Sequence, residues 1–177
     1  ITEPGCHEIC GHSYTHPNLT KLTLPAIQRE LDSARQAIMS AGGQETYLFR
    51  PPGGQYNKLV LQAAREGNYR MVLWTVLPSD HDKPPVRLIV SRIIKQTRVG
   101  ENEVVLLHQG IENTLSALPL IIAFYHEKGY EFVTVSQLVA HNRTDNTLVS
   151  KSKLRRIASL QAEKRIVLNK YRFWYIQ

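Results

Sequence analysis

Short apolar runs alternate with amphipathic helical stretches along most of the chain, and that alternation restricts the fold more than any other feature. Residues 7–11, 46–50, 69–76, 104–108 and 131–135 read as strands. Residues 25–41, 59–66, 86–97 and 115–128 read as helices, the first carrying Ile27, Leu31, Ala34 and Ile38 at three- and four-residue spacing. Gly42-Gly43, Gly67, Gly100 and Gly129 follow these helices as stop signals, and Pro51-Pro52-Gly53-Gly54 is loop chemistry after the second strand. Strands alternating with helices imply βαβ units and a parallel sheet. Continuous apolar runs such as Val104-Val105-Leu106-Leu107 suit strands covered on both faces. Five strands before residue 136 are too few for a closed barrel, so the sheet is open or lacks strands within this chain. After Ala140 the alternation stops, and residues 141–147 read as a linker.

A length of 177 residues suits one domain with one core. No run of eighteen apolar residues is present, so nothing in the sequence reads as a transmembrane helix. The opening residues show neither a basic start nor an apolar stretch of signal-peptide type. The net charge of +7 is unevenly placed: residues 151–177 hold four Lys and four Arg against Glu163 alone and account for all of it. A basic tail can attract nucleic acid, anionic lipid or wall polymer, although a solvated tail without a partner is the plainer expectation and a nucleic-acid partner is not expected. Cys6 and Cys10 would lie about 13 Å apart on a strand, beyond disulfide reach, and two cysteines make no disulfide framework.

In parallel α/β architectures, reactive groups gather at the carboxyl ends of strands. The first strand leads to His12 and His16, whose four-residue spacing suits two nitrogen ligands on one metal, though such a pair is more often solvated or structural. The second leads to Arg50, which needs an anionic partner if buried. The third leads to Trp74 and Asp80, and the fourth to His108, a group able to act as acid or base near neutral pH or simply as a core histidine. Asp80 could hold that imidazole in one tautomer and favour its cation, with Asp82 as a rival partner.

An ordered set of motifs resembles the polysaccharide deacetylase family, the NodB-homology domain of carbohydrate esterase family 4. Gly11-His12-Ser13-Tyr14-Thr15-His16-Pro17 is similar to the family's His-Ser/Thr-x-x-His metal motif, preceded by the fitting His7-Glu8-Ile9. Phe49-Arg50-Pro51-Pro52-Gly53-Gly54 looks like its Arg-Pro-Pro groove wall, residues 74–80 like its Asp-x-x-Asp-Trp region, and Val105-Leu106-Leu107-His108 like its Leu-x-His motif. Gly129-Tyr130-Glu131-Phe132-Val133-Thr134-Val135 is similar to the last strand, so the likeness spans roughly residues 5–140.

The resemblance implies an incomplete (β/α)7-type barrel of parallel strands missing its first strand, with residues 1–140 as the catalytic domain and residues 141–177 as a basic extension. It implies hydrolysis of N-acetyl groups on peptidoglycan, chitin or a related polymer, outside the cytoplasm or at the cell wall. His12 and His16 would bind Zn²⁺, or another divalent ion such as Co²⁺. His108 would be the acid, oriented by Asp80. Arg50 would position the base, Pro52 and Gly53 would wall the groove, and Trp74 and Leu106 would line the acetyl pocket. The family's Thr-Phe-Asp-Asp motif, source of the base and of a third metal ligand, is not in these 177 residues. The chain alone is therefore expected to turn over poorly, by about 10²–10⁴-fold for the base, unless a cut or separate segment supplies the motif. Cys10, two residues before His12, is a remote stand-in ligand. Further departures are Cys6 and Cys10 for family glycines, Gly11 for Asn, Leu77 for the first Asp and His81 for Trp of the fourth motif, and Gly53 for an aromatic residue. They bear on substrate grip more than on chemistry. Two other readings compete: an inactive glycan-binding relative, and a binder of anionic polymers through the basic tail.

Overall fold

A computed structural model describes residues 7–144 and 171–176. The chain divides into two compact units, Ile1–Leu73 and Trp74–Gln177. Among the described residues every strand pairing is parallel, and a helix lies between each strand and the next.

In the first unit, α1 (Leu24–Ser40) begins with Pro25 in its first turn, where a missing N–H costs nothing, and buries Ile27, Leu31 and Ala34 on one stripe. Gly42 and Gly43 end it by donating to Met39 and Ile38 carbonyls at 3.0 and 2.9 Å. A Cβ on Gly43 would stand 2.6 Å from Ile38, so only glycine fits that close turn. β1 (Leu48–Phe49) pairs with β2 (Arg70–Met71), joined through α2 (Lys58–Glu66), whose first turn is capped by the Asn57 side chain accepting from Val60 N–H at 3.0 Å. Leu19, Ile27, Leu31, Phe49, Val60, Ala63 and Ala64 form the buried cluster of this unit. The strand expected over residues 7–11 shrinks to one bridge at Gly11: its N–H donates to Leu48 O at 2.8 Å, and its carbonyl accepts from Arg50 N–H at 2.9 Å.

In the second unit, β3 (Glu103–Leu107) is flanked by Val76 on one edge and by β5 (Tyr171–Ile176) on the other, and β4 (Glu131–Val133) pairs with β5. α3 (Val86–Gln96) and α4 (Glu112–Glu127) supply Ile89, Ile93, Ala117, Ile121 and Tyr125 to a cluster with Val76, Val105 and Leu107. Glu103, buried at the start of β3, accepts from Arg98 N–H at 2.7 Å and is hydrogen-bonded to the Thr75 hydroxyl.

Three boundaries differ from the sequence expectation. Residues 69–76 are not one strand: Val72 N–H donates to Phe49 O, whereas Thr75 and Val76 donate to Val104 O, so the segment changes partners midway. α5 (Val135–Thr144) runs through the first four residues of the expected linker, and residues 145–147 of it lie outside the described residues. Within the basic segment, Tyr171–Ile176 is a strand between β3 and β4, and the rest of that segment apart from those six residues lies outside the described ones.

Candidate active site

In the first unit, the bridge at Gly11 puts His12 beside the residue that ends β1. His12 Nδ1 lies 2.7 Å from the Arg50 carbonyl oxygen. A carbonyl only accepts, so Nδ1 carries the hydrogen and the basic lone pair of the neutral ring resides on Nε2. That tautomer is the one a metal-ligating histidine adopts when a second group anchors its other nitrogen. The His16 ring stands edge-on to it, centroids 5.0 Å apart.

The loop between them is held in a costly shape. Ser13 and His16 adopt left-handed φ of 64° and 59°, and the Ser13 hydroxyl accepts from His16 N–H at 3.1 Å. Glu30, on α1, accepts from Tyr14 N–H and Thr15 N–H at 2.8 Å each and from the Thr15 hydroxyl at 2.7 Å. Partial burial alone would raise the Glu30 carboxyl, but the hydrogen bonds from Thr15 and Tyr14 outweigh it and hold the group below its usual value of 4.5. Its support of the loop is therefore complete above 4.5 and is lost as pH falls through the lowered folded value. Glu30→Gln should weaken divalent-ion binding by about 10–100-fold, the usual cost of losing an outer support, read by calorimetric titration.

Arg50 is 6 % exposed and precedes the buried Pro51 and Pro52. The turn Pro52–Gly54 places Gly53 and Gly54 at φ 61° and 67°, shapes that a side chain would strain. Asn18 Nδ2 donates to Gln55 Oε1 at 2.6 Å and Asn57 Nδ2 to Thr20 O at 3.1 Å, tying this turn to the segment after His16. Three further acids of this unit are engaged elsewhere: Asp32 accepts from Tyr69, Glu45 from Arg35, and Glu66 from Gln28 and Gln62. Burial first, and then the charge of Glu8, push the Cys10 thiol up to about 12, so it offers no thiolate near neutral pH.

In the second unit, His108 follows β3 and meets Asp80, which is fully buried. One Asp80 oxygen lies 2.8 Å from His108 Nδ1. The other accepts from His108 N–H and from the Thr114 hydroxyl, both at 2.8 Å. Burial would raise the Asp80 carboxyl, yet the His108 ring and backbone bonds and the Thr114 bond hold it below 3.8. An ionised Asp80 fixes His108 with its Nδ1 hydrogen inward. Asp80 opens a short turn, Asp80–Asp82, bracketed by Ser79 and Lys83 at left-handed φ of 52° and 54°. Arg92 Nη1 braces that turn by donating to Pro78 O at 2.9 Å. Leu106 is buried two residues before His108 on the strand and so projects to the same face. Trp74, half-buried, lies two residues before the bridging Val76.

Of the expected site residues, His12, His16, Arg50, Pro52 and Gly53 belong to the first unit, and Trp74, Asp80, Leu106 and His108 to the second. Asp80, not Asp82, is the partner of His108; Asp82 Oδ1 lies 3.4 Å from His81 Nε2 instead. Three contributors went unseen in the sequence. Glu30 sits mid-helix among ordinary surface acids, Thr114 carries no motif, and His81 occupies a position read only as a departure.

A family profile described as polysaccharide deacetylase matches residues 1–72. Peptidoglycan-N-acetylglucosamine deacetylase of Bacillus cereus is 33% identical over 140 residues, covering 76% of this chain and 64% of its own. The chain belongs to the polysaccharide deacetylase family. A solved family 4 carbohydrate esterase from Streptomyces lividans, in complex with acetate, superposes on this deacetylase-family chain with a TM-score of 0.64 and 34% identity, covering 69% of this chain and 62% of the esterase. A family 4 pseudoenzyme from Bacillus anthracis superposes with a TM-score of 0.69 and 29% identity, covering 74% and 46%. The fold class is thus the expected one, an incomplete (β/α)7-type barrel of parallel strands. This family member spans less than two thirds of the length of the curated relatives it matches.

Proposed function

We propose that the chain carries the metal-holding and acid-donating parts of a carbohydrate N-deacetylase acting on N-acetylglucosamine-containing polymer, with peptidoglycan as the favoured substrate and the cell wall as its place. One observation carries this reading: His12 and His108 are each anchored through Nδ1, at 2.7 and 2.8 Å, which puts the reactive nitrogen of both rings at Nε2. The named activity of the Bacillus cereus relative supports the choice of polymer.

The donor set of His12 and His16 fits a divalent ion such as Zn²⁺ or Co²⁺, being two imidazoles on one tightly held loop. Bound there, such an ion supplies Lewis-acid polarisation of an acetamide carbonyl and of water. The protein does the rest. His108, as imidazolium, gives its Nε2 proton to the departing amine nitrogen, and Asp80 holds the ring for that transfer. A backbone N–H near Gly53 meets the developing oxyanion, and Pro52 walls the groove. Arg50 positions the carboxylate base, which belongs to the family's Thr-Phe-Asp-Asp motif and not to these 177 residues. Trp74 and Leu106 line the pocket for the acetyl methyl.

Acetate release from N-acetylglucosamine oligomers tests the reading, using the whole product of the reading frame that contains this chain. Release that needs zinc and stops with a chelator is expected. A second reading rests on the changes at Leu77, His81 and Gly53: a glycan binder without turnover, as the likeness to a pseudoenzyme allows. It predicts oligomer binding with no acetate released at any zinc concentration.

A further inference from the structure

The turn that delivers Asp80 also delivers a second imidazole. His81 faces His108 edge-on, with ring centroids 5.1 Å apart and planes at 67°. The His12–His16 pair has its centroids 5.0 Å apart and its planes at the same 67°. One donor atom each from Asp80, His81 and His108 lies within 4.8 Å of the others. Asp80 already accepts three hydrogen bonds, two of them from His108, so its role is to anchor the His108 ring from behind. A carboxylate behind an imidazole is the usual outer support of a metal-bound histidine, and it puts the metal-binding lone pair of His108 on Nε2. His81 is about half exposed, so an ion can approach it from solvent, and Asp82 Oδ1 at 3.4 Å from His81 Nε2 adds a carboxylate oxygen at the same edge. The left-handed Ser79 and Lys83 pin the turn that sets this geometry.

We propose that His81 and His108 form a second site for a late first-row divalent ion, Zn²⁺ in the first instance. Two imidazoles favour that class of ion over Mg²⁺ or Ca²⁺. With two protein nitrogens and one outlying carboxylate, the site is weaker than a full three-ligand centre and fills only when zinc is in excess. The consequence for catalysis rests on the deacetylase reading. An ion on His108 Nε2 occupies the lone pair that must otherwise carry the transferable proton, so excess zinc withdraws the acid and inhibits. Binding itself does not depend on that reading.

Calorimetric titration of zinc into the whole product of the reading frame that contains this chain, with cobalt absorption as a second readout, tests the site directly. Two classes of binding are expected. His81→Phe keeps an aromatic ring against His108, at a position exposed enough to tolerate it, and should abolish the weaker class alone. Under the deacetylase reading, the whole reading-frame product with this substitution should release acetate as its parent does, yet resist inhibition by excess zinc. A single class in the parent chain, or a weaker class that survives in His81→Phe, overturns the proposal. Absence of any acetate release by the whole reading-frame product, with the weaker class lost in His81→Phe, refutes the deacetylase reading and leaves the site standing.

Discussion

Replacing His108 with glutamine should lower acetate release by about 10²–10⁴-fold, the usual worth of a positioned general acid. Glutamine can still donate a hydrogen bond toward Asp80, so the buried carboxylate keeps a partner and the fold survives. What glutamine lacks is a proton it can give up. The amine of a cleaved amide is a poor leaving group until protonated, so the loss falls on turnover and not on the affinity for oligomers. The tight zinc event, assigned to His12 and His16 in the other unit, should be unchanged. Steady-state measurement of kcat and KM for the variant checks this, and turnover within a few-fold of the parent would place the acid elsewhere.

Asp80→Asn should lower turnover by a similar factor, up to about 10⁴-fold, the scale seen when a carboxylate behind a reactive imidazole becomes an amide. Asp80 accepts from the His108 ring, the His108 backbone and the Thr114 hydroxyl. An amide has one oxygen for these three donors, and its NH₂ meets a hydrogen wherever it points. The ring is then driven to flip or to exchange tautomers, which moves the neutral ring's proton from Nδ1 to Nε2 and removes the carboxylate behind it. The variant also reveals a pH signature. The Asp80 carboxyl is held below 3.8, so its contribution to stability is complete above 3.8 and disappears as pH falls through the lower folded value. The denaturation midpoint of Asp80→Asn should therefore lie below that of the parent at neutral pH and converge with it in strong acid. A midpoint gap that is the same at both pH values would show that the carboxylate charge is not what the fold uses.

Much of the architecture was legible because burial on both faces leaves a plain mark. Val104-Val105-Leu106-Leu107 is apolar without interruption, and its strand runs Glu103–Leu107. The helix bounds were close because glycines end them: Gly43 has no room for a Cβ against Ile38, and Gly67 none against Tyr69. Residues 7–11 failed as a strand because only Gly11 finds a partner on β1. The strand Tyr171–Ile176 was hidden by arithmetic: its aromatic and β-branched run is a strand signal, but it sits among the basic residues that drew the reading toward a tail.

The site was legible where chemistry and topology agree. His12, Arg50, Asp80 and His108 stand at or just beyond strand or bridge ends, which is where parallel α/β folds expose reactive groups. The residues alone left Asp82 as a rival to Asp80, since two acids two residues apart look alike until the turn between them is known; the family resemblance is what pointed to Asp80. Glu30, Thr114 and His81 escaped for the same reason. Each acts through a contact some 15 to 34 residues away in the chain, or 27 for His81 and His108, and no local pattern announces such a contact.

The central claim is that His12 and His16 together hold one divalent ion, and titrating zinc into the whole reading-frame product and into its His12→Gln and His16→Gln variants tests it most directly. The account predicts that the tighter binding event is lost or severely weakened in both variants and kept in His108→Gln. A tighter event that persists undiminished in either His12→Gln or His16→Gln would contradict it.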